Sequence, residues 1–155
     1  MTQAGTPSVL TADECKAFGP ALANAARDDP AVYDMLLVRL IDANTTDLAE
    51  LRHAVDRRDW PGVQRNVHRL KGSAALARCP TLVAAGKSIE SAAGQGKAAV
   101  VNALLPRYIA IVTEFNDQLR AIRPDPPRLA PGTFKEFDES VHSPRVQAAS
   151  GAGTL

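Results

Sequence analysis

An all-α fold, an up-down antiparallel four-helix bundle with an additional short N-terminal helix, is what this sequence predicts, and three observations predict it. Apolar residues recur at alternating spacings of three and four over long stretches, the period of a helix with one buried face. Aromatics make up only 5% of the chain while Ala and Leu are abundant, a bias that suits packed helices better than strands. Proline, glycine and capping residues leave only short loops between the periodic segments, and short loops make successive helices antiparallel.

Residues 1–10 read as a flexible N-terminus. Thr11, Ala12, Asp13 and Glu14 have the spacing of a capping box, with Glu14 placed to reach back to the Thr11 amide. A short helix follows to about Ala26, and the Gly19–Pro20 pair is expected to threaten it near its middle. Asp29 and Pro30 read as an N-cap followed by proline at the first helical position. They open a long helix, to about Arg58, whose seam is Tyr33, Leu37, Ile41, Asn44, Leu48, Leu51 and Val55. Asn44 stands in that seam either as a buried polar residue that fixes register or at its edge.

Asp59, Trp60 and Pro61 restart the chain into a third helix that ends near Arg78, Cys79 and Pro80. A fourth runs from about Thr81 to Ala93 and is stopped by Gly94, Gln95 and Gly96. The last begins near Lys97 and carries Val101, Leu104, Tyr108, Ile111, Phe115, Leu119 and Ile122 on one side. Pro106 is expected to kink that helix or to mark its true start. From Arg123 to Leu155 the periodicity lapses among Pro124, Pro126, Pro127, Pro131 and Pro144. The bundle is therefore assigned to residues 11–122 and a disordered Pro-rich tail to 123–155, with the segment from Phe134 to Phe137 read as solvated or weakly packed tail, a short docking element being the alternative.

At 155 residues, 45% apolar and 23% charged, the chain is sized and composed for one globular core. A formal net charge of +1 sets up no global field toward nucleic acid or anionic lipid, so neither is expected as a partner. No signal peptide is read at the N-terminus, and no stretch is expected to approach the roughly 20 apolar residues that cross a bilayer. Cys15 and Cys79 match no metal or disulfide spacing, and reduced thiols fit a cytoplasmic location.

The third helix holds the informative residues. Its apolar stripe Val63, Val67, Leu70, Ala74 and Ala77 falls within roughly 40° of one direction, with Trp60 near the same edge. His68 comes out about 140° away and faces solvent, which argues against the usual reading of a lone histidine as a satisfied core residue. Lys71 and Gly72 follow it, and Arg65 and Gln64 precede it, at helix-face spacing. Gly72 is costly inside a helix, by about 1 kcal/mol relative to Ala, but it removes the side chain that would crowd an approaching partner. Lys71 and Arg65 place positive charge where a phosphoryl group on His68 would sit. Ser73 and Ala75 keep the surroundings small, and Leu76 is on the exposed side, available for apolar docking. An exposed imidazole is a competent nucleophile and covalent phosphoryl carrier. The sequence offers no acidic cluster and no Gly-rich phosphate loop, so the remaining machinery is assigned to a partner.

His68, Arg69, Leu70, Lys71, Gly72 and Ser73, after Asp59, Trp60 and the core position Val67, resemble the phosphorylation motif of histidine phosphotransfer (HPt) domains. The layout is similar from about Leu10 to Ile122, including Ile89 and Glu90 in the fourth helix. The flavour is that of the C-terminal HPt modules of unorthodox hybrid sensor kinases of the BvgS/EvgS type. The resemblance implies that His68 accepts phosphate through Nε2 from a receiver-domain aspartate and passes it to another receiver. Lys71 would position or neutralise the phosphoryl group, Gly72 would give access, and Gln64 would hydrogen-bond near the ring. The response-regulator receivers, of a hybrid sensor kinase and of a downstream regulator, would bring Mg²⁺ and the acidic residues, so no cofactor of its own is expected of this chain. It would act as a monomeric carrier without ATP binding or turnover.

The chain departs from many relatives in lacking a glycine in the turn after the motif, where Ala77, Arg78, Cys79 and Pro80 stand. The alternative reading is a non-phosphorylated bundle that docks on receivers and inhibits them. A dimeric histidine kinase core is disfavoured, since no ATP-binding sequence follows. His53 is read as a solvated surface residue, His142 as an inert tail residue, and Lys87 as a surface lysine that could approach the His68 face.

Overall fold

The computed structural model describes residues 8–124; the expectations for residues 1–7 and for the tail beyond 124, with His142, lie outside the described residues. Five helices form between the predicted punctuation marks: α1 Ala12–Ala25, α2 Pro30–Asp56, α3 Trp60–Ala77, α4 Pro80–Gly94 and α5 Ala98–Ile122. Helices α2 to α5 pack each against its sequence neighbour, and α2 closes the ring on α5. The shorter α1 lies against α3, α2 and α5.

The caps explain where the helices begin. Thr11 and Glu14 form the expected capping box. The Asp29 carboxylate accepts from the amides of Ala31 and Val32, and Asp59 accepts from the amide of Gly62. Helix α4 has Cys79 at its N-cap with no side-chain cap of its own. Glu14 of α1 supplies it: Thr81 donates to the Glu14 carboxylate from its amide and its hydroxyl, each at 2.9 Å. One buried carboxylate thus satisfies the starts of two helices far apart in sequence. Burial opposes its charge, but hydrogen bonds from the amides and hydroxyls of Thr11 and Thr81 outweigh burial and hold the Glu14 carboxyl below its ordinary range.

Neither internal proline breaks its helix. Pro20 lies inside a continuous α1, and Pro106 inside an α5 that begins at Ala98; Pro106 does not mark the helix start. Both prolines are exposed, and so are Lys16 and Asn102, whose carbonyls lose the i→i−4 bond. On these exposed sides of the helices water can take the place of the missing N–H.

The missing glycine after α3 has a visible consequence. Arg78 closes the helix in the left-handed conformation at φ 61°, ψ 57°, the position that glycine occupies at least cost. Its amide bonds back to the carbonyls of Ala74 and Ala75, so the turn keeps its hydrogen bonds with a residue ill suited to it.

The core runs through the ring of helices, with Leu37, Leu51, Val67, Leu70, Ile89 and Phe115 essentially inaccessible. Phe18 anchors α1 by meeting Phe115 edge-on, ring centroids 5.2 Å apart. Asn44 is fully buried and donates to Asn116 at 2.9 Å; Asn116 donates in turn to the Ile41 carbonyl and the Thr45 hydroxyl. That polar chain pins α2 to α5, which favours the register reading of Asn44.

Contrary to the expectation that nothing is long and apolar enough, α5 passes that test for crossing a membrane by length and composition. Its Val101, Tyr108, Ile111, Val112, Phe115 and Leu119 are buried in the bundle. Its other face carries Arg107, Glu114, Asp117 and Arg120 alongside exposed Val100, the pattern of a helix that packs along one stripe. Burial raises the pKa of both free thiols, pushing Cys79 up to about 11 and leaving it a protonated, unreactive core residue.

Candidate functional site

The α3 stripe that fills the core decides what the opposite face can do. Val63, Val67, Leu70, Ala74 and Ala77 are all buried without remainder. That phase turns His68 outward, and its side chain is 75% exposed. Its Nδ1 lies 3.6 Å from Oε2 of Glu90, on α4. The other ring nitrogen, Nε2, is thereby turned away from Glu90.

Glu90 organises the site. Its second carboxylate oxygen, Oε1, accepts from the Lys71 ammonium in a short ion pair. Lys71 and Glu90 are largely sheltered, at 22% and 24% side-chain exposure, so this pair is screened less than a surface one. One carboxylate therefore bonds the lysine and, at 3.6 Å, faces the exposed imidazole one turn back along α3. Gln64, one turn back, lies on the same side; its amide nitrogen donates to the Glu90 backbone carbonyl at 3.4 Å, not to the ring.

On the open side of His68 the expected access is present. A Cβ built on Gly72 would meet nothing within 4 Å. Ala75 and Leu76 are exposed, Leu76 at 41%, so a small and partly apolar surface flanks the ring. Arg65 is exposed, leaving its charge facing solvent. Ser73 is half-buried and points roughly 140° around α3 from His68; it belongs to a different flank of the helix.

Arg69, beside His68, turns toward α2, within 3.5 Å of Asp47 and 3.6 Å of Glu50. Burial raises the Asp47 carboxyl above its ordinary range, and Arg69 partly offsets that. Tyr108 of α5 is buried, and among the described residues its hydroxyl has no hydrogen-bond partner; burial, and then the Glu90 and Asp47 carboxylates, push the phenol well above its ordinary range, so it stays neutral. Lys87 is exposed and lines a groove with Ser91, Gln95 and Leu104. His53 is exposed on α2. Among the described residues, no group of three or more His, Cys, Asp or Glu side chains is placed to hold a metal.

Glu90 entered the sequence reading only as part of the family layout that the chain resembles; its role beside His68 and Lys71 is what that reading missed. Helix phase places His68, Lys71 and Gln64 on one side of α3, but the carboxylate that faces His68 and Lys71, and the backbone carbonyl that Gln64 meets, arrive from another helix. The available signal was its position directly after the buried Ile89, at the edge of the packed face of α4.

A comparison with protein-family models matches residues 35–124, more than half of the chain, to the Hpt domain. The match begins within α2 and takes in α3, α4 and α5, and so the whole constellation around His68. No curated protein and no solved structure matches the chain significantly.

Proposed function

The chain belongs to the Hpt family, and from that membership we propose that His68 is its phosphoacceptor, relaying a phosphoryl group between receiver-domain aspartates. Hpt domains are phosphocarrier modules of two-component phosphorelays that interact with response-regulator receivers. The observation that carries the finer reading is the orientation of one imidazole: exposed, with Nδ1 toward a carboxylate and Nε2 free of it.

In that reading the ring enters the reaction neutral, its proton on Nδ1 facing Glu90. The Nε2 lone pair attacks the phosphorus of a receiver's aspartyl phosphate in line. The N–P bond forms as the P–O bond to the aspartate breaks, and the leaving carboxylate takes the bonding electron pair. The ring keeps its Nδ1 proton and becomes cationic, and the Glu90 carboxylate faces that charge. Transfer onward reverses the electron flow: an aspartate oxygen of a second receiver attacks phosphorus, and the N–P electrons return to Nε2. Exposed Arg65 provides cationic charge at the rim for the phosphoryl oxygens, and Lys71, held on Glu90, adds positive charge behind it. Mg²⁺ and the acidic residues that bind it belong to the receiver. We assign the donor receiver to a hybrid sensor kinase and the acceptor to a downstream regulator. The carrier acts as a monomer in the cytoplasm, with no catalytic turnover of its own.

The test is to mix the protein with a phosphorylated receiver and Mg²⁺ and to look for acid-labile, base-stable label on wild type and on His68→Gln. Label on wild type alone is expected, with helicity retained in the variant. Label on neither across several receivers would replace this reading with a docking module that is not phosphorylated. Label on both would move the acceptor to another residue.

A further inference from the structure

Three side chains on α3 oppose three positions on α4 in antiparallel register. Gln64 meets Gly94, His68 meets Glu90, and Lys71 meets Gly86. A Cβ on Gly86 would fall 3.3 Å from Cγ and 3.4 Å from Cδ of Lys71, and 3.4 Å from a methyl of Val67. A Cβ on Gly94 would fall 2.8 Å from the amide nitrogen of Gln64. Glu90 stands four residues from each glycine, on the same face of α4.

Backbone conformation does not require either glycine. Among the described residues the glycine with positive φ is Gly96, and Gly86 lies within regular α4. Glycine disfavours a helix interior relative to alanine. What the missing Cβ at Gly86 provides is a recess in which the Lys71 stem lies flat, carrying the ammonium onto Glu90. A lysine side chain left free would sample many rotamers.

We infer that Gly86 is a positioning residue of the phosphoryl-transfer site, seating Lys71 on α4 so that its ammonium is held at the carboxylate that also faces His68. The inference rests on the phosphotransfer reading above. Gly86 touches no reacting atom; it acts through Lys71. A methyl group there sits 3.3 Å from Cγ of Lys71, so the flexible lysine stem must give by a few tenths of an ångström, while the helix stays free to form.

A double-mutant cycle tests this. First-order phosphoryl transfer from a saturating phosphorylated receiver is measured for wild type, Gly86→Ala, Gly86→Val, Lys71→Ala and the two double variants. KM for the receiver and the melting temperature are measured alongside. Alanine is expected to slow transfer about threefold and valine about tenfold, in line with the sensitivity of transfer to small misplacements. KM should stay within about twofold, and Gly86→Ala should melt no lower than wild type. In the Lys71→Ala background both substitutions should change the rate by less than about twofold. Full activity in both Gly86 variants, or slowing that persists without Lys71, overturns the inference. Failure of wild type to take label, or an unslowed Lys71→Ala, would instead strike the phosphotransfer reading itself. If Gly86→Val does not fold, Gly86→Ala decides the matter alone.

Discussion

Replacing Gly72 with leucine separates access from stability, because the two should move in opposite directions. The glycine lies inside α3 and is exposed, and a Cβ there meets nothing within 4 Å. No native contact is therefore lost and no atom has to shift. What changes is helix propensity, where glycine stands about 1 kcal/mol below alanine and leucine is close to alanine. A gain of roughly 0.7–1 kcal/mol corresponds to about 3–5 °C in Tm for a bundle of this size. Transfer should fall. The leucine side chain occupies the approach one turn from His68, whereas in-line attack needs the reacting atoms about 3–3.5 Å apart, and a misplacement of 1 Å can cost about a hundredfold. We expect kcat/KM for transfer from a phosphorylated receiver to drop by about ten- to a hundredfold. Labelling by a small donor such as phosphoramidate, which needs no docked protein, should change by less than about threefold if access is the cause. Thermal melts followed by circular dichroism and rapid-quench transfer kinetics supply both readouts. Unchanged transfer in a folded variant refutes the access argument. A clear fall in Tm refutes the claim that the position is sterically open.

Two further outcomes concern the frame that holds α3 and α4. Glu14→Ala removes acceptors from the starts of α1 and α4 together; with about 1 kcal/mol per lost cap, the loss should be about 2–3 kcal/mol in urea unfolding at pH 7. Its folded carboxyl is held below the ordinary value of 4.5. The stabilisation should therefore be complete above that value and fade as pH falls through the lower folded pKa; a wild-type-minus-variant difference that stays constant into that acid range contradicts the assignment. Arg78→Gly should raise stability by about 1 kcal/mol, since Arg78 now occupies the left-handed position that closes α3. An unchanged melting curve would mean that Arg78 carries no strain there.

What could be read from the chain and what could not divide along a physical line. Helix phase is a local property: Val63, Val67, Leu70, Ala74 and Ala77 place one another, and His68 with them, because each is related to the next by the helix repeat. Caps are local too, so Thr11, Asp29 and Asp59 mark their own helices. Pro20 was over-read as a helix break, and Pro106 as a helix start, for the same reason. Pro20 and Pro106 break a bond in any isolated helix, but here both lie on exposed sides and the packed opposite side keeps the helix whole. Ser73 was over-read as a neighbour of His68, since nearness along the chain is not nearness around a helix. Glu90, Gly86 and the second duty of Glu14 could not be found this way. Each acts across a helix interface, where the partner is chosen by the register of two packed faces.

That division also says something about the site. His68 and Lys71 lie one turn apart on α3, and the carboxylate that faces them is anchored to α4. The imidazole orientation and the lysine position therefore depend on α3 and α4 staying in register. Buried Val67 and Leu70 on one helix and Leu82 and Ile89 on the other maintain that register by filling the core between them. Under the relay proposed above, a carrier that meets more than one receiver would benefit from this arrangement. The exposed ring and Gly72 leave the docking face small and open, while the groups that orient the ring sit behind it, largely sheltered, where a change of partner does not disturb them.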